Sequence, residues 1–414
     1  MVNGVVLIDL DRPPPAPVER PPRARLRPAY LVMVLALLLV LGGAAAPMPG
    51  LTPVLSVAEP VTAFQLAAGS VFLATNTEVR RYDLPGGQTR WRREYHRNVQ
   101  GMRFDGSTGT LLMISSPGPV LTAVDAGSGA ELWSSDAPGT AVVSVSRGGV
   151  LTHSFGAGES RLHLADARTG RRIWTHPVSS FGFLGPDELY GDGGSPRIVT
   201  VGATGAVQVL NYADGAVLAR GDVGLGGEDQ PVPSDSVAVS VLRERIYVTR
   251  RVGGGSVLTA YAVSPPARLW RAEGGPFGSV TDCGPVLCVA STGGLSGIDP
   301  ADGSVRWHQP SWSTAFRYDA TRLIGYDSLE ETRAALLDAA TGRILHPLGR
   351  SQRAGDLILR SEGRQTLVLV GDPASGGLRT TGVMHDAAWF RCTARGAYLA
   401  CPSLGGDTGV WRIR

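Results

Sequence analysis

The sequence predicts an all-β protein, a β-propeller with eight four-stranded blades, preceded by a single N-terminal transmembrane helix; seven or nine blades are the alternatives. Three observations favour this fold. A short motif recurs with a spacing of about 40 residues, which is typical of repeat architectures. A short apolar run of strand composition precedes most copies. An uncharged apolar stretch, residues 29–46, follows a cluster of arginines.

The recurring motif, which we call the frame, is Asp, then Gly four residues later, then Trp eight residues later. Complete copies are Asp83/Gly87/Trp91, Asp125/Gly129/Trp133, Asp166/Gly170/Trp174 and Asp299/Gly303/Trp307. Two copies, Asp338/Gly342/His346 and Asp372/Gly376/Thr380, lack the tryptophan. Two more are degraded, Asn211/Gly215/Ala219 and Ala262/Pro266/Trp270.

Each position of the frame has a physical role. Asp bonds the backbone two residues on and starts a turn, and Gly supplies the positive φ at which the hairpin closes. Trp is large enough to cover a neighbouring sheet, and its N–H needs a polar partner. We therefore expect Trp133, Trp174 and Trp307 to be largely buried between adjacent blades. A four-stranded sheet repeated radially is a propeller blade.

The segment Ala165-Asp166-Ala167-Arg168-Thr169-Gly170-Arg171-Arg172-Ile173-Trp174 resembles the repeat of the PQQ-like, or quinoprotein-type, propellers. Residues 337–342 match its first half. The resemblance covers about residues 60–414 and implies the fold. It leaves function open, because the family includes cofactor enzymes and non-enzymatic scaffolds of the BamB type. The sequence is placed with the latter.

The N-terminal region divides into three parts. Residues 1–28 form a Pro- and Arg-rich tail, predicted to be disordered and cytoplasmic. Residues 29–46 are long enough for a signal-anchor helix, and the arginines before it place the remainder outside the cytoplasm. A cleaved signal peptide is the alternative, because Ala44-Ala45-Ala46 resembles a cleavage box. The predicted location is the cell membrane, crossed once, with the propeller extracytoplasmic.

Residues 47–60 are a linker or a closing strand, and the propeller occupies residues 61–414. The final segment from Ala388 ends without a complete frame, so its edge needs a partner. The run Thr52–Val57 is a candidate for that strand. The unit at about 356–385 is short and is expected to lack a strand, which favours eight blades over nine.

The four cysteines form two local pairs, Cys283/Cys288 and Cys392/Cys401. Each pair flanks a predicted hairpin turn, where opposed residues have the Cα separation that a disulfide requires. Two local disulfides are therefore predicted, which an oxidising compartment would maintain. Free thiols are the alternative.

No catalytic, cofactor-binding or metal-binding residues are predicted. The chain contains no lysine, because all 39 basic residues are arginine, and this excludes a Walker A loop. The quinoprotein dehydrogenases that the repeat resembles have two adjacent cysteines, whereas no two cysteines of this chain are adjacent. The seven histidines are scattered along the sequence. A net charge of +3 gives no footprint for nucleic acid.

The sequence thus predicts a membrane-anchored binding scaffold that is not an enzyme and has no cofactor. Its expected contacts are an unidentified envelope or membrane protein and the lipid bilayer, through residues 29–46. The alternatives are a PQQ-dependent quinoprotein dehydrogenase and a sensor domain that binds a small ligand.

Overall fold

The fold is a propeller of nine four-stranded antiparallel sheets, observed in a computed structural model of the chain. The structure describes residues 50–67, 69–116, 120–136, 140–155, 160–178, 183–184, 197–202, 204–225, 237–252, 255–275, 277–328, 333–372 and 377–414. The all-β propeller prediction is confirmed. The preferred count of eight blades is wrong, because nine sheets lie within these residues.

Blades 1 to 3 each take four consecutive strands. Blade 1 contains β2 (Ala63–Ala67), β3 (Ser70–Ala74), β4 (Glu78–Asp83) and β5 (Gln88–Glu94). Blade 2 contains β6 (Asn98–Asp105), β7 (Thr110–Ser116), β8 (Val120–Asp125) and β9 (Glu131–Asp136). Blade 3 contains β10 (Thr140–Ser146), β11 (Gly149–Phe155), β12 (Ser160–Asp166) and β13 (Arg172–Val178).

Blades 4 to 6 follow the same order. Blade 4 contains β14 (Phe183–Leu184), β15 (Arg197–Val201), β16 (Ala206–Asn211) and β17 (Val217–Asp222). Blade 5 contains β18 (Val237–Leu242), β19 (Arg245–Val252), β20 (Gly255–Ala262) and β21 (Arg268–Gly275). Blade 6 contains β22 (Val280–Asp282), β23 (Leu287–Ser291), β24 (Gly294–Ile298) and β25 (Val305–Gln309).

Blades 7 to 9 complete the ring. Blade 7 contains β26 (Thr314–Arg317), β27 (Arg322–Tyr326), β28 (Ala334–Asp338) and β29 (Ile344–Gly349). Blade 8 contains β30 (Ser351–Ala354), β31 (Leu357–Glu362), β32 (Gln365–Gly371) and β33 (Leu378–His385). Blade 9 contains β34 (Thr393–Arg395), β35 (Tyr398–Pro402), β36 (Thr408–Ile413) and the N-terminal β1 (Leu51–Val57).

Blade 8 is the reason that the predicted count was wrong. The segment at 356–385 holds three strands, and the fourth is supplied by β30, Ser351-Gln352-Arg353-Ala354. This strand is short and carries no apolar alternation, so its sequence does not identify it as a strand. Its end residues Ser351 and Ala354 are nevertheless buried.

The ring is closed by the N-terminal strand, as the sequence predicts for residues 52–57. β1 pairs antiparallel with β36, from Leu51 opposite Ile413 to Val57 opposite Thr408. The closing segment is also fixed to blade 1, because Glu59 forms an ion pair of 2.9 Å with Arg80. Pairing β1 in this way covers the edge that blade 9 would otherwise expose.

The described residues form nine hydrophobic core clusters, one at each seam between neighbouring blades. Phe72 and Leu111, for example, belong to the cluster between blades 1 and 2. Leu66 and Val410 belong to the one that joins blade 1 to blade 9. Each blade therefore buries its apolar side chains only against its two neighbours, as in other repeat proteins.

The two faces of the ring differ in their connections. The first and third strands of each blade end at one face of the ring, here called the frame face because the described frame turns lie there. The second and fourth strands end at the opposite face, here called the far face.

The predicted tail and anchor, residues 1–28 and 29–46, lie outside the described residues, as does the start of the linker. The described part of the chain contains no helix with the length and apolar character needed to cross a membrane.

Candidate functional site

The aspartates of the frame build turns. Asp125 Oδ1 accepts hydrogen bonds from the backbone N–H groups of Gly127 (3.1 Å) and Ser128 (2.9 Å), while Gly129 N–H donates to the Asp125 carbonyl. The Ser128 backbone and hydroxyl donors hold the pKa of the Asp125 carboxyl below its usual value. Such an aspartate stays ionised and saturated with local donors, so it serves the turn and is a poor acid or base.

The same turn geometry is repeated in other blades. The aspartates Asp166, Asp299 and Asp338 each accept from N–H groups two or three residues ahead. Asp83 accepts the Gly87 N–H at its carbonyl, and Asn211 takes the same role in blade 4. Asp372 is described, whereas its partner Gly376 lies outside the described residues.

Each tryptophan of the frame joins its own blade to the next one. Every indole N–H donates to a backbone carbonyl one residue after the aspartate position of the following frame. These bonds are Trp91 to Ala126 (2.9 Å), Trp133 to Ala167 (2.9 Å), Trp174 to Tyr212 (2.8 Å), Trp270 to Pro300 (2.9 Å) and Trp307 to Ala339 (3.1 Å).

The glycines of the frame leave room for these rings. A Cβ on Gly342 would lie 2.6 Å from Trp307 Cδ2, and one on Gly170 would lie 2.8 Å from Trp133. Both glycines also have positive φ. The glycine therefore meets two requirements, the turn in its own blade and the indole of the blade before it, and only the first follows from local sequence.

Gly303 shows that the members of one frame act at two different seams. The sequence groups Gly303 with Trp307, but a Cβ on this buried glycine would lie 2.6 Å from Cε3 of Trp270, in the preceding blade. Trp307 instead covers Gly342 of the following blade. Gly303 still closes its own turn, because its φ is +79° and its N–H donates to the Asp299 carbonyl at 3.0 Å. The motif Asp299/Gly303/Trp307 is therefore continuous in sequence, while its glycine and its tryptophan contact different neighbouring blades.

Burial of the tryptophans differs from the prediction at one position. Trp174, Trp270 and Trp307 are buried, as expected for the first and last of them, but Trp133 is only half-buried, as is Trp91. The reason is that clefts of about 370 Å³ and 290 Å³ open beside Trp91 and Trp133. The indoles at these two seams are walls of clefts, whereas the others are enclosed.

The four cysteines form the two local disulfides, Cys283–Cys288 and Cys392–Cys401. Each joins the first and second strands of its blade, in blade 6 at the frame face and in blade 9 at the far face. All four sulfur-bearing residues are buried. The first disulfide lies in the core cluster between blades 6 and 7, and the second in the cluster between blades 8 and 9. Both disulfides therefore cross-link the hydrophobic core.

The histidines do not assemble a reactive site. His153 and His163 lie on adjacent strands, but His153 lies opposite Leu162 and His163 opposite Thr152, so their side chains point to opposite faces of the sheet. His163 lies 3.0 Å from Ser154 Oγ and 2.9 Å from Thr175 Oγ1. Among the described residues no group of three His, Cys, Asp or Glu side chains could hold a metal ion.

Burial of His153 predicts a pH-dependent stability. The residue is 3% exposed, and desolvation lowers its pKa below the usual 6.5. The unfolded chain therefore binds a proton that the folded chain resists, and the free energy of unfolding should decrease as the pH falls below about 6.5. Urea unfolding at pH 7.5 and 5.5 should show this decrease, and it should be smaller for H153Q.

A matched control for this prediction is H96Q, because the His96 side chain is 79% exposed. That variant should keep the full pH dependence. Some dependence should also remain in H153Q, since burial lowers the pKa of His163 as well. Equal slopes for H153Q and the unaltered chain would contradict the assignment.

Among the described residues, four large apolar side chains are exposed on the far face. Phe155 (59% exposed) and Val252 (51%) end second strands, Leu404 (68%) lies in the turn before β36, and Phe390 (55%) lies in a 3-10 helix, Trp389–Arg391. The Phe390 ring packs edge-on against Trp389 at 6.1 Å, and the Arg350 guanidinium covers Trp389 at 6.0 Å. Exposed aromatics set on a rigid support are typical of recognition surfaces.

A second set of exposed apolar residues lies on the outer strands. Its members begin the fourth strands of five successive blades, close to the frame face: Ile173, Leu218, Leu269, Val305 and Ile344. Each belongs to a separate blade edge, so these residues are single exposed side chains of the kind that ordinary surfaces carry.

The fold and the tryptophan-docked seams define a protein class, the propellers with PQQ-like repeats. The chain belongs to the PQQ_2 family, described as "Outer membrane protein assembly factor BamB", whose model matches residues 75–309. No curated protein sequence matches the chain.

Solved structures show the same fold. BamB from Moraxella catarrhalis has a TM-score of 0.50 and 16% identity, covering 87% of this chain and 99% of that one. A structure titled as the eukaryotic initiation factor has a TM-score of 0.54 and 10% identity, covering 80% and 90%. At these identities the likeness concerns the fold alone.

Proposed function

We propose that this protein is a non-catalytic scaffold, held at a membrane by residues 29–46, that binds an envelope protein through its far face. The observation that carries the proposal is the exposure of Phe390 and Leu404, which both lie at the far-face end of blade 9. A few residues that become buried at the centre of an interface, aromatic ones above all, carry most of its binding free energy. The family description, an outer membrane protein assembly factor, supports a partner in the envelope.

The polar residues of the frame support a scaffold more than an enzyme. Asp125 and Asp166 are saturated by their own turns, and the indole N–H groups of Trp133 and Trp174 bond to the next blade. Catalysis requires polar groups that face a substrate with suitable proton affinities. The repeated residues of this chain are committed to holding the ring, which gives loops a rigid support.

The binding role is tested by site-specific photo-cross-linking in the native envelope. A photoreactive residue at position 390 or 404 should capture one defined protein, and the same residue at position 344 should not. Ile344 is a matched control because it is 48% exposed but lies on an outer strand. The captured protein is then purified and its affinity for the full-length chain is measured.

We expect F390A and L404A to weaken that affinity by about tenfold or more, as for anchors at the centre of an interface. I344A should leave it unchanged. Equal cross-linking from all three positions, or equal affinities for all three variants, would contradict a far-face site.

Two further measurements test the remaining parts of the proposal. Alkaline phosphatase fused after residue 60 should be active, as the extracytoplasmic location requires. Purified chain mixed with PQQ and calcium should give no dye-linked dehydrogenase turnover. Stoichiometric PQQ binding with turnover would contradict the non-catalytic role and would show that the protein is a quinoprotein dehydrogenase.

A further inference from the structure

The seam between blades 4 and 5 lacks two of the frame residues. Ala219 occupies the tryptophan position of blade 4, and Pro266 occupies the glycine position of blade 5. The proline ring packs close to the backbone there, since a Cβ on Gly221 would lie 2.5 Å from Pro266 Cβ. The described residues place no indole in this seam, and a cleft of about 640 Å³ remains, larger than the clefts beside Trp91 and Trp133.

Hydrogen-bond donors dominate one wall of this cleft. In blade 5, Thr259 lies opposite Arg271 and Tyr261 lies opposite Arg268, so these four side chains share the face that looks towards blade 4. Arg250, on the adjacent strand, lines the same cleft. Guanidinium groups donate and never accept, so a ligand at this wall must supply the acceptors.

The negative charge beside these arginines is small. Of the described residues that line the cleft, one is acidic, Asp222. Its carboxylate accepts a hydrogen bond from the Gly224 N–H. Arg271 forms an ion pair of 2.7 Å with Glu273, but both side chains are about half exposed or more, so the pair is weak. The Arg268 side chain makes no hydrogen bond or ion pair with any residue that the structure describes.

Arg250 and Tyr261 fix the wall to blade 4. Arg250 Nη1 donates to the Gly224 carbonyl at 3.1 Å, which engages one of its five N–H groups. The Tyr261 hydroxyl donates to the Val223 carbonyl at 2.7 Å. Burial raises the pKa of that hydroxyl, while the positive charges of Arg268, Arg250 and Arg271 act in the opposite direction.

We propose that this cleft binds the phosphoryl group of a small phosphorylated molecule or a lipid headgroup, with Arg250 and Arg268 as its main donors. The planar guanidinium fork matches two oxygens of a phosphoryl group at once. The valines Val248 and Val257 line the same cleft, so a ligand with an apolar portion next to its phosphate fits it. The cleft reaches the far face at Val252, but this proposal does not depend on binding through Phe390 and Leu404.

Calorimetry of the full-length chain in a nonionic detergent tests the site with two probes. Inorganic pyrophosphate represents a free phosphorylated ligand, and dioctanoyl phosphatidylglycerol, compared with dioctanoyl phosphatidylcholine, represents a headgroup. Binding of the first assigns a free ligand, and preferential binding of phosphatidylglycerol alone assigns a lipid. In either case R268Q and R250Q should each weaken binding about tenfold or more, because each removes a charge-assisted bond.

The matched control is R172Q. Arg172 has the same position relative to its frame in blade 3 as Arg268 has in blade 5, but the indole of Trp133 occupies that seam. R172Q should leave binding unchanged, and all variants should keep the melting temperature of the unaltered chain. If neither probe binds at millimolar concentration, or if R172Q and R268Q weaken binding equally, the proposal is wrong.

Discussion

Removing strand β1 should open the ring and cost more stability than any single substitution in a blade. A chain that begins at residue 58 lacks β1, so six residues of β36 lose their partners, from Ile413 opposite Leu51 to Thr408 opposite Val57. About six backbone hydrogen bonds at 0.5–1.5 kcal/mol each and the burial of Val57 together give a loss on the order of 5 kcal/mol or more. The melting temperature should fall by about 10 °C or more.

The matched control is a chain that begins at residue 49, the first residue of the compact unit that contains the propeller. It retains β1 and should melt like the full-length chain. A synthetic peptide of residues 50–59 added to the shorter chain should restore its melting temperature, because it can pair with the free edge of β36. Equal melting of the two truncated chains would show that the pairing of β1 does not close the ring.

The sequence predicted the outer half of each blade better than the inner half. The frame lies between the third and fourth strands. There, residues such as Asp125 and Gly129 predict the turn, because Asp bonds the backbone just ahead of it and Gly adopts a positive φ. First strands such as β30 and β34 are three or four residues long and carry polar residues, because they line the centre of the ring. Their pairing is set by neighbours distant in sequence, so the blade count could not be obtained from local patterns.

The clefts and the far-face surface were harder to predict for a related reason. Exposure of Trp133 depends on how blade 3 packs against it, and the frame in blade 2 is the same as that around the buried Trp174. Phe155, Val252 and Leu404 belong to three blades, and only the ring places them on one face. The degraded frames at Ala219 and Pro266 did carry a signal, since two successive losses at one seam leave space there.

Replacing Trp307 by alanine should cost about 3–5 kcal/mol, the amount typical of a buried tryptophan. Trp307 is 7% exposed, its indole donates to the Ala339 carbonyl at 3.1 Å, and its ring covers Gly342 of blade 7. W133A should cost less, because that ring is half-buried beside a cleft. The free energies of unfolding of both variants are compared by urea unfolding. Far-ultraviolet circular dichroism is the probe, because both variants lose a tryptophan and their fluorescence changes.

The pairing of indole and glycine across the seam predicts a coupling that a double-mutant cycle can measure. In G342A the new methyl carbon would lie 2.6 Å from Trp307. The alanine would also have to adopt the φ of +68° that Gly342 has. The steric part, about 1–3 kcal/mol, should disappear in the W307A background, while the backbone part, about 1–2 kcal/mol, should remain. G363A is the control, since Gly363 has a φ of +64° with nothing within 4 Å of its added Cβ. Its cost should be the same with and without Trp307, and a coupling below about 0.5 kcal/mol between Gly342 and Trp307 would mean that the ring does not dock on the turn.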